Sequence, residues 1–387
     1  MDTEIPRSHP TGRALAPALA TCLRALQVTA LLYFFLVAIS LLGSAFKLFG
    51  DDFSATLITG TSHPVTGLMI GLLATALVQS SSSTTSIVVG LVAAGALTVR
   101  GAVPIIMGAN LGTTVTNTIV ALTSINRRSE FRRALAGATM HDFFNLLSIL
   151  ILFPLEMATH ALERTATWLS GRLVGSQGLE FDSPVKAACK PAVDLVERAL
   201  GAGLGVPDWA AGAILLALSL ALIALALVGL TRVLKQAVLS RAEGSLTRWI
   251  GSGGLGAMLV GLLLTVAVQS SSITTSLLVP LIGAGLVSLE SGFAVTLGAN
   301  LGTTITALMA SLAGNGAAVA IALVHLLFNV FGILAIYPLR SVRRIPIVLA
   351  RNLAFRSSRN KIWVVLYMVG VFFALPVLFV LVDRAVH

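Results

Sequence analysis

The stretch VQSSSSTTS at residues 78–86 recurs as VQSSSITTS at residues 268–276, each time in the middle of strongly apolar sequence. A second motif, GANLGTT, follows at residues 108–114 and again at residues 298–304. Both motifs are displaced by 190 positions, so the two copies align without a gap between them. Two motifs in the same order at the same spacing indicate a duplicated structural unit.

A third pair of matches extends the duplication toward the end of each copy. His141 and Asn145 in the first copy correspond to His325 and Asn329 in the second. The displacement falls to 184 here because the loop before His325 is shorter. The duplicated blocks are therefore predicted at residues 64–155 and 254–339.

The composition is that of a membrane protein. Of 387 residues, 56% are hydrophobic and only 11% are charged, and the mean hydropathy is +0.93. Average soluble proteins have about a quarter of their residues charged, so a soluble enzyme, a nucleic-acid-binding domain and a disordered chain are excluded. The net charge of +10 comes from basic residues in the gaps between apolar runs. These residues are interpreted as topology signals and contacts to membrane lipids, with no nucleic acid as a partner.

The predicted fold is an all-α polytopic membrane protein organised around the two blocks. An N-terminal segment and first transmembrane helix precede the first block, and an extracellular linker with a connecting transmembrane helix separates the blocks. A basic cytoplasmic loop and a last transmembrane helix follow the second block. The predicted domains are residues 1–63, 64–155, 156–253, 254–339 and 340–387.

The charges of two corresponding loops predict that the blocks have opposite orientations. Residues 124–133 contain four arginines, whereas the corresponding residues 312–317 contain no charge. Cytoplasmic loops carry an excess of Lys and Arg, so the first loop is predicted inside and the second outside. Inverted repeats of this kind are typical of secondary transporters. The same rule predicts a multi-pass protein of the inner cell membrane with a cytoplasmic N-terminus and an outside C-terminus.

The serine-rich motifs predict interruptions of the membrane helices. Unpaired hydroxyls facing lipid cost several kcal/mol each, and the flanking apolar runs, residues 65–78 and 87–99, are short for a full crossing. Each block is therefore predicted to contain a re-entrant helical hairpin with this motif at its tip. The GANLGTT motif predicts a broken transmembrane helix in each block, with Thr113 or Thr303 capping a new half-helix. Four breaks are expected to meet near the bilayer midplane.

The chemistry of such breaks favours a cation and an anion together. Half-helix N-termini attract anions, and half-helix carbonyls with Ser, Thr, Asn and Gln oxygens suit Na⁺. Arg100 is the only charged residue in 64–123, and Glu290 is the only one in 253–339. Proton coupling usually needs a buried carboxylate or histidine, so Na⁺ is favoured over protons. His141 and His325 are interpreted as structural groups that hydrogen-bond between helices.

Taken together, these motifs resemble the type II sodium–phosphate cotransporter family. The resemblance also rests on SEFRRA at residues 129–134, GAT at 137–139, HDF at 141–143 and Asn145, and it extends over residues 26–382. It implies secondary active uptake of inorganic phosphate by alternating access, coupled to Na⁺ entry, and no enzymatic activity. Animal members have a long disulfide-bonded loop between the blocks, whereas this chain is compact and has one cysteine there, Cys189.

The resemblance also assigns candidate site residues. The predicted substrate-binding residues are Gln79, Ser80, Ser81, Ser82, Gln269, Ser270, Ser271 and Ser272. The predicted sodium-binding or supporting residues are Thr84, Thr85, Asn110, Thr113, Thr114, Thr274, Thr275, Asn300, Thr303 and Thr304. The expected partners are phosphate, Na⁺ as the coupling ion and membrane lipids, with a homodimer possible. Neither a transition metal nor a resident cofactor is expected.

The residues by themselves leave several functions open. Hydroxyl and N–H donors do not separate phosphate from sulfate or a small carboxylate, so a Na⁺-coupled transporter of another oxyanion is an alternative. An anion channel would share hydroxyls along its pore, but inverted repeats favour alternating access. An intramembrane serine hydrolase is the least favoured, since the motifs place no base beside a serine.

Overall fold

A computed structural model describes residues 15–50, 63–174, 184–200, 205–242 and 253–386, together with residues 55, 58 and 60. The first 14 residues, on which the predicted cytoplasmic N-terminus depends, lie outside this part. Nearly all described residues are helical, and none forms a β-strand. The first helix is α1, Leu15–Phe49.

The first block consists of two short helices, an interrupted helical segment and one long helix. These elements are α2 (Pro64–Val78), α3 (Ser81–Ala93), α4 (Val99–Leu111), a 3₁₀ turn (Gly112–Thr114), α5 (Val115–Leu122) and α6 (Arg128–Thr159). In the described part of the segment between the blocks lie three helices: α7 (Ala161–Val174), α8 (Pro184–Arg198) and α9 (Asp208–Ala242).

The second block repeats this order with fewer interruptions. Its helices are α10 (Gly254–Val268), α11 (Ser271–Gly283), α12 (Leu289–Ser311) and α13 (Gly316–Ile336). A basic helix, α14 (Arg340–Arg359), follows. The last crossing is α15 (Ile362–Val369), a π-helical turn (Gly370–Ala374) and α16 (Leu375–Val386).

The prediction of an all-α polytopic membrane protein is confirmed. Seven helical segments in the described residues are long and apolar enough to cross a membrane. Four further apolar helices, α2, α3, α10 and α11, are too short to do so. A 15-residue helix is about 22 Å long, whereas the hydrocarbon core is about 30 Å thick. These four helices form two hairpins, α2–α3 (the first hairpin) and α10–α11 (the second hairpin).

The two hairpins open at opposite ends of helix α12. At the open end of the first hairpin, the Asn315 side chain, just after α12, donates a hydrogen bond to the Ala93 carbonyl at 3.1 Å. At the open end of the second hairpin, just before α12, the Arg133 Nε donates to the Gly283 carbonyl at 2.8 Å. The two tips therefore point toward each other from opposite ends of the helix bundle.

The predicted break at the GANLGTT motif is wrong for the second block. Helix α12 runs through this motif without interruption, and in the first block the motif ends in a single 3₁₀ turn that leads directly into α5. Thr113 and Thr303 do not cap new half-helices. Their hydroxyls donate to the carbonyls of Ala109 and Ala299, one turn earlier in the same helix, at 3.4 and 3.0 Å. Bonds of this kind need no break, because the threonine hydroxyl binds a carbonyl of the turn that precedes it.

The glycines of this motif instead allow two helices to touch. A Cβ atom on Gly108 would lie 1.9 Å from the Leu68 carbonyl oxygen of α2, and one on Gly298 would lie 1.8 Å from the Met258 carbonyl oxygen of α10. Small residues at such positions are the usual means of close helix packing in membranes. The motif therefore allows the first arm of each hairpin to pack closely against the helix that contains the motif.

Candidate functional site: the two hairpin tips

Each hairpin turns at a glutamine followed by a serine. Gln79 and Gln269 have left-handed backbone angles, with φ of 58° and 56°, which end the first arm. Ser80 then caps the second arm by accepting the Ser83 N–H at 3.1 Å, and Ser270 accepts the Ile273 N–H at 3.4 Å. A left-handed residue ends a helix and a serine N-cap starts one, so the motif itself encodes the turn. We call residues 79–83 the first tip and residues 269–273 the second tip.

Both tips line one cavity of about 440 Å³. Segments that are 190 residues apart in sequence therefore meet at one place. All eight predicted substrate-binding residues border this cavity, namely Gln79, Ser80, Ser81, Ser82, Gln269, Ser270, Ser271 and Ser272.

The two glutamine side chains are held by the protein. The Thr116 hydroxyl donates to Gln79 Oε1 at 2.7 Å, and the Thr306 hydroxyl donates to Gln269 Oε1 at 3.0 Å. Each glutamine also donates its amide N–H to a backbone carbonyl three residues earlier. Both glutamines thus position their tips, and the matching bonds show that the two blocks are built alike here.

Four serine hydroxyls at the tips are free to bind a ligand. No other group among the described residues forms a hydrogen bond with the hydroxyls of Ser81, Ser82, Ser271 and Ser272. These residues are also the first of α3 and α11, where backbone N–H groups lack helical acceptors. The cavity wall therefore combines neutral hydroxyls with two helix N-termini, which together favour an anion and a coordinated monovalent cation.

The four predicted supporting threonines of the two hairpins lie behind the tips and do not border the cavity. Their hydroxyls donate to carbonyls of the tip serines four residues earlier. The bonds are Thr84 to Ser80 (3.1 Å), Thr85 to Ser81 (2.8 Å), Thr274 to Ser270 (3.3 Å) and Thr275 to Ser271 (2.8 Å). These threonines therefore stabilise the first turn of each second arm.

The asparagines of the GANLGTT motifs form a buried network away from the cavity lining. His325 Nε2 lies 3.3 Å from Asn110 Oδ1, and in the reciprocal position His141 Nε2 bonds Asn300 Oδ1. Each histidine thus contacts the asparagine of the other block. The prediction that both histidines form interhelical hydrogen bonds is confirmed.

Two further asparagines close this network. Asn145 donates to the Asn110 carbonyl at 2.8 Å and accepts from Asn300 Nδ2 at 2.9 Å. Asn329 donates to Asn110 Oδ1 at 3.2 Å. All of these side chains are buried. The network therefore joins the two blocks through buried side chains.

The remaining predicted supporting residues are threonines inside helices. Thr113, Thr303 and Thr304 all bond carbonyls of their own helix, and Thr304 donates to Leu301 at 2.7 Å. The side chain of Thr114 lies outside the described part of the chain. None of the three threonines whose side chains are described borders the cavity of the tips.

The sequence reasoning missed three polar residues of α9 that line the same cavity, Thr231, Arg232 and Lys235. The two cations form no ion pair with any described residue. They were interpreted only as topology signals, since α9 belongs to neither block. The sequence places both cations at the end of an apolar helix, but it does not indicate which face of that helix contacts the tips.

A second polar cluster lies far from the tips and has a structural explanation. Glu156, His160 and Glu163 bring their ligand atoms within 4.8 Å of one another. However, the Glu156 carboxylate accepts the backbone N–H groups of Leu162 at 2.6 Å and Glu163 at 3.1 Å, at the start of α7. Glu156 therefore caps a helix.

The fold and the shared cavity define a polytopic, all-helical membrane protein with two matched blocks that meet at serine-rich tips. The Na⁺/Pi-cotransporter family matches residues 34–167 and 220–351, and the chain belongs to this family. No solved structure matches the chain.

Two named relatives show the extent of the similarity. The chain is 35% identical to human sodium-dependent phosphate transport protein 2B over 443 residues, covering 91% of this chain and 64% of the relative. It is 37% identical to mouse sodium-dependent phosphate transport protein 2A over 422 residues, covering 90% of this chain and 66% of the relative. The chain thus spans just under two thirds of the length of these relatives.

Proposed function

We propose that this protein is a secondary active transporter that couples Na⁺ entry to the uptake of inorganic phosphate by alternating access. The observation that carries the proposal is the cavity bordered by both serine tips, where the hydroxyls of four serines have no partners among the described residues. The names of the similar proteins, sodium-dependent phosphate transport proteins 2A and 2B, support the same substrate and coupling ion.

The chemistry of the cavity supports an anion carried together with Na⁺. Two helix N-termini and the cations Arg232 and Lys235 favour a negatively charged ligand. The described residues that line the cavity include no Asp or Glu. A carboxylate is the usual carrier of a coupling proton in a membrane, so the cavity favours coupling to Na⁺ through neutral oxygens.

The proposal includes inverted repeats with re-entrant hairpins. The hairpins open at opposite ends of α12, and the arginines in the first turns of α6 lie at the same end as the basic helix α14. By the positive-inside rule this end is cytoplasmic. The last helix then places the C-terminus outside, as the sequence predicts.

Single-cysteine labelling tests this topology. Asn126→Cys and Leu312→Cys, made separately in a chain carrying Cys22→Ser and Cys189→Ala, are exposed positions in the two corresponding loops. A membrane-impermeant thiol reagent should label Leu312→Cys from outside intact cells and Asn126→Cys only after the inner side is opened. Labelling of both positions from the same side would contradict the inverted arrangement.

Uptake into proteoliposomes tests the function. Radiolabelled phosphate should accumulate under an inward Na⁺ gradient and not under a K⁺ gradient or a proton gradient alone. Unlabelled sulfate and a small carboxylate should compete weakly, because only HPO₄²⁻ can donate a hydrogen bond to a hydroxyl or amide oxygen. Accumulation driven by a pH gradient without Na⁺ would refute the coupling. Equal competition by sulfate would assign a broader oxyanion substrate.

A further inference from the structure

A second, strongly basic cavity lies between the N-terminal turn of α6 and the C-terminal turn of α14. Its volume is about 420 Å³. Three guanidinium groups, two serines and one aromatic ring line it, namely Arg128, Arg132, Arg359, Ser129, Ser358 and Phe355. It is separate from the cavity of the tips, with which it shares no lining residue.

The three guanidinium groups carry uncompensated charge. Neighbouring arginines are neutralised: Arg127 pairs with Glu130 at 2.8 Å, and Arg351 pairs with Glu290 at 2.9 Å. None of the three cavity arginines forms an ion pair within the described ranges. Like charges held together repel, so an anion that enters between them is stabilised by all three.

Helix α14 has the features of a helix that lies in the membrane interface. It buries Ile347, Ala350 and Ala354 and leaves Val348 and Leu349 exposed. Exposed apolar residues on a helix with this many cations indicate contact with the headgroup and acyl boundary of a bilayer.

The residues that follow α14 support this placement. Trp363 begins the last crossing, and the Arg356 guanidinium lies 5.5 Å from the centre of its ring. Tryptophan is enriched at membrane–water interfaces. The basic cavity at the end of α14 therefore opens at the depth of lipid headgroups.

We propose that this cavity binds the phosphate headgroup of an anionic membrane lipid. Guanidinium groups bind phosphate oxygens through paired N–H donors, and three of them surround one space of suitable size here. The Ser129 hydroxyl can donate to a further phosphate oxygen.

The aromatic lining selects a lipid over free phosphate. Phe355 borders the cavity and is 42% exposed, and Arg359 stacks on its ring at 4.4 Å. An apolar side chain beside the anion site gives an acyl chain a surface on which to lie, whereas a free phosphate ion gains nothing from it. Bound lipid would clamp the start of α6 to the end of α14.

Native mass spectrometry of the purified full-length chain tests the proposal. The protein in detergent is titrated with phosphatidylglycerol, with phosphatidylcholine of the same acyl chains and, separately, with inorganic phosphate. The wild type should retain one phosphatidylglycerol that phosphatidylcholine does not replace, and excess phosphate should not displace it. The variant Arg128→Gln/Arg132→Gln/Arg359→Gln should bind it about a thousandfold more weakly, since each of the three lost charge-assisted contacts contributes roughly a tenfold factor.

A matched control removes the same charge elsewhere at this end of the protein. Arg340→Gln/Arg344→Gln/Lys361→Gln alters three exposed cations that do not line the cavity and should leave the affinity nearly unchanged. The variant Arg128→Lys/Arg132→Lys/Arg359→Lys keeps the charge without paired donors and should bind with intermediate affinity. Equal losses in the glutamine variant and its control, or retention of phosphatidylcholine, would overturn the proposal. Full displacement by phosphate would assign the cavity to a free anion instead.

Discussion

The first and second hairpins share their tips but differ in what holds them from behind. At the tips the correspondence is close: Gln79 and Gln269 accept equivalent threonine hydroxyls, and both following serines cap a helix. One residue of the tip differs. Ser83, whose hydroxyl donates to Ser80 Oγ at 2.9 Å, corresponds to Ile273.

Behind the tips, among the described residues, only the second hairpin has hydroxyls bonded to an asparagine of the other block. The Asn117 carboxamide oxygen of the first block accepts the hydroxyls of Thr275 at 2.9 Å and Ser276 at 3.1 Å. The residue that corresponds to Asn117 is Ala307, which offers no side-chain acceptor. Accordingly, the buried hydroxyl of Ser86 in the first hairpin has no partner among the described residues.

A second bond follows the same pattern. Thr265 donates to the Thr274 hydroxyl at 2.9 Å within the second hairpin, whereas the corresponding Thr75 is a buried, unpaired donor in the described part of the chain. Apart from Ser83 and Ile273, the side chains of the tips that face the cavity are thus the same in both hairpins, while the side chains that form hydrogen bonds behind the tips differ. The two hairpins therefore present nearly the same groups to the cavity but are stabilised by different hydrogen bonds behind their tips.

The largest effect is expected from a steric test of whether the two blocks pack in the same way. Gly108→Ala and Gly298→Ala each place a Cβ atom less than 2 Å from a backbone carbonyl of the adjacent hairpin arm. Backbone cannot move aside as a flexible side chain does, so each variant should lose about 3 kcal/mol or more of stability. Thermal unfolding of the purified variants measures this loss. Gly43→Ala, with open space around it, is the control. If only one of the two variants Gly108→Ala and Gly298→Ala lost stability, the two blocks would not be packed equivalently.

A second prediction addresses the shared cavity. Ser81→Ala and Ser271→Ala each remove a hydroxyl that bonds a charged ligand, which costs about 1.5–3 kcal/mol, or roughly a tenfold to hundredfold loss of phosphate affinity. If both hydroxyls bind one ligand, the double variant should deviate from additivity. Concentration-dependent uptake into proteoliposomes provides the affinities.

The control for the tip serines is Ser219→Ala on α9, whose hydroxyl bonds only the Leu216 carbonyl of its own helix. Its transport should be close to that of the wild type. Normal transport by either tip variant would remove that serine from the site. Lower stability with unchanged affinity would show that the serines only pack helices.

A third prediction addresses the unequal supports. Asn117→Ala removes the acceptor of two hydroxyls of the second hairpin and should destabilise it by about 1–3 kcal/mol. Amide hydrogen exchange should become faster in residues 271–283 and remain unchanged in residues 81–93. Asn126→Ala, in the exposed loop after α5, is the control. Equally faster amide hydrogen exchange in both hairpins would show that Asn117 stabilises the whole helix bundle and not the second hairpin in particular.

The smallest expected effect concerns the cations that belong to neither block. Arg232→Gln and Lys235→Gln should each raise the KM for phosphate by about threefold at low salt, because both charges lie at the cavity and pair with no carboxylate of the described residues. The effect should shrink as ionic strength rises, and kcat should stay unchanged. Arg340→Gln removes a cation outside the cavity and should leave KM unaltered. A fall in kcat would mean that these residues act in the transport step itself.

Local features of the fold could be predicted because they are encoded in neighbouring residues. Apolar runs of sufficient length predict membrane helices, and a glutamine followed by serines supplies both the end of one helix and the cap of the next. The duplication then predicts that Gln79 and Gln269 occupy equivalent places. The cavity residues 79–82 and 269–272 could be selected in this way, because hydroxyls inside an apolar block need a polar neighbour.

What the tertiary structure decided depends on contacts between distant segments. Gly108 and Gly298 suggested helix breaks, because a glycine that breaks a helix and one that admits a neighbouring backbone look identical in sequence. The meeting of Asn117 with the second hairpin and of Arg232 with the tips depends on the rotation of one helix against another. That rotation is set by the packing of the whole bundle, so only the three-dimensional arrangement shows which cations face the site and which hairpin is held more firmly.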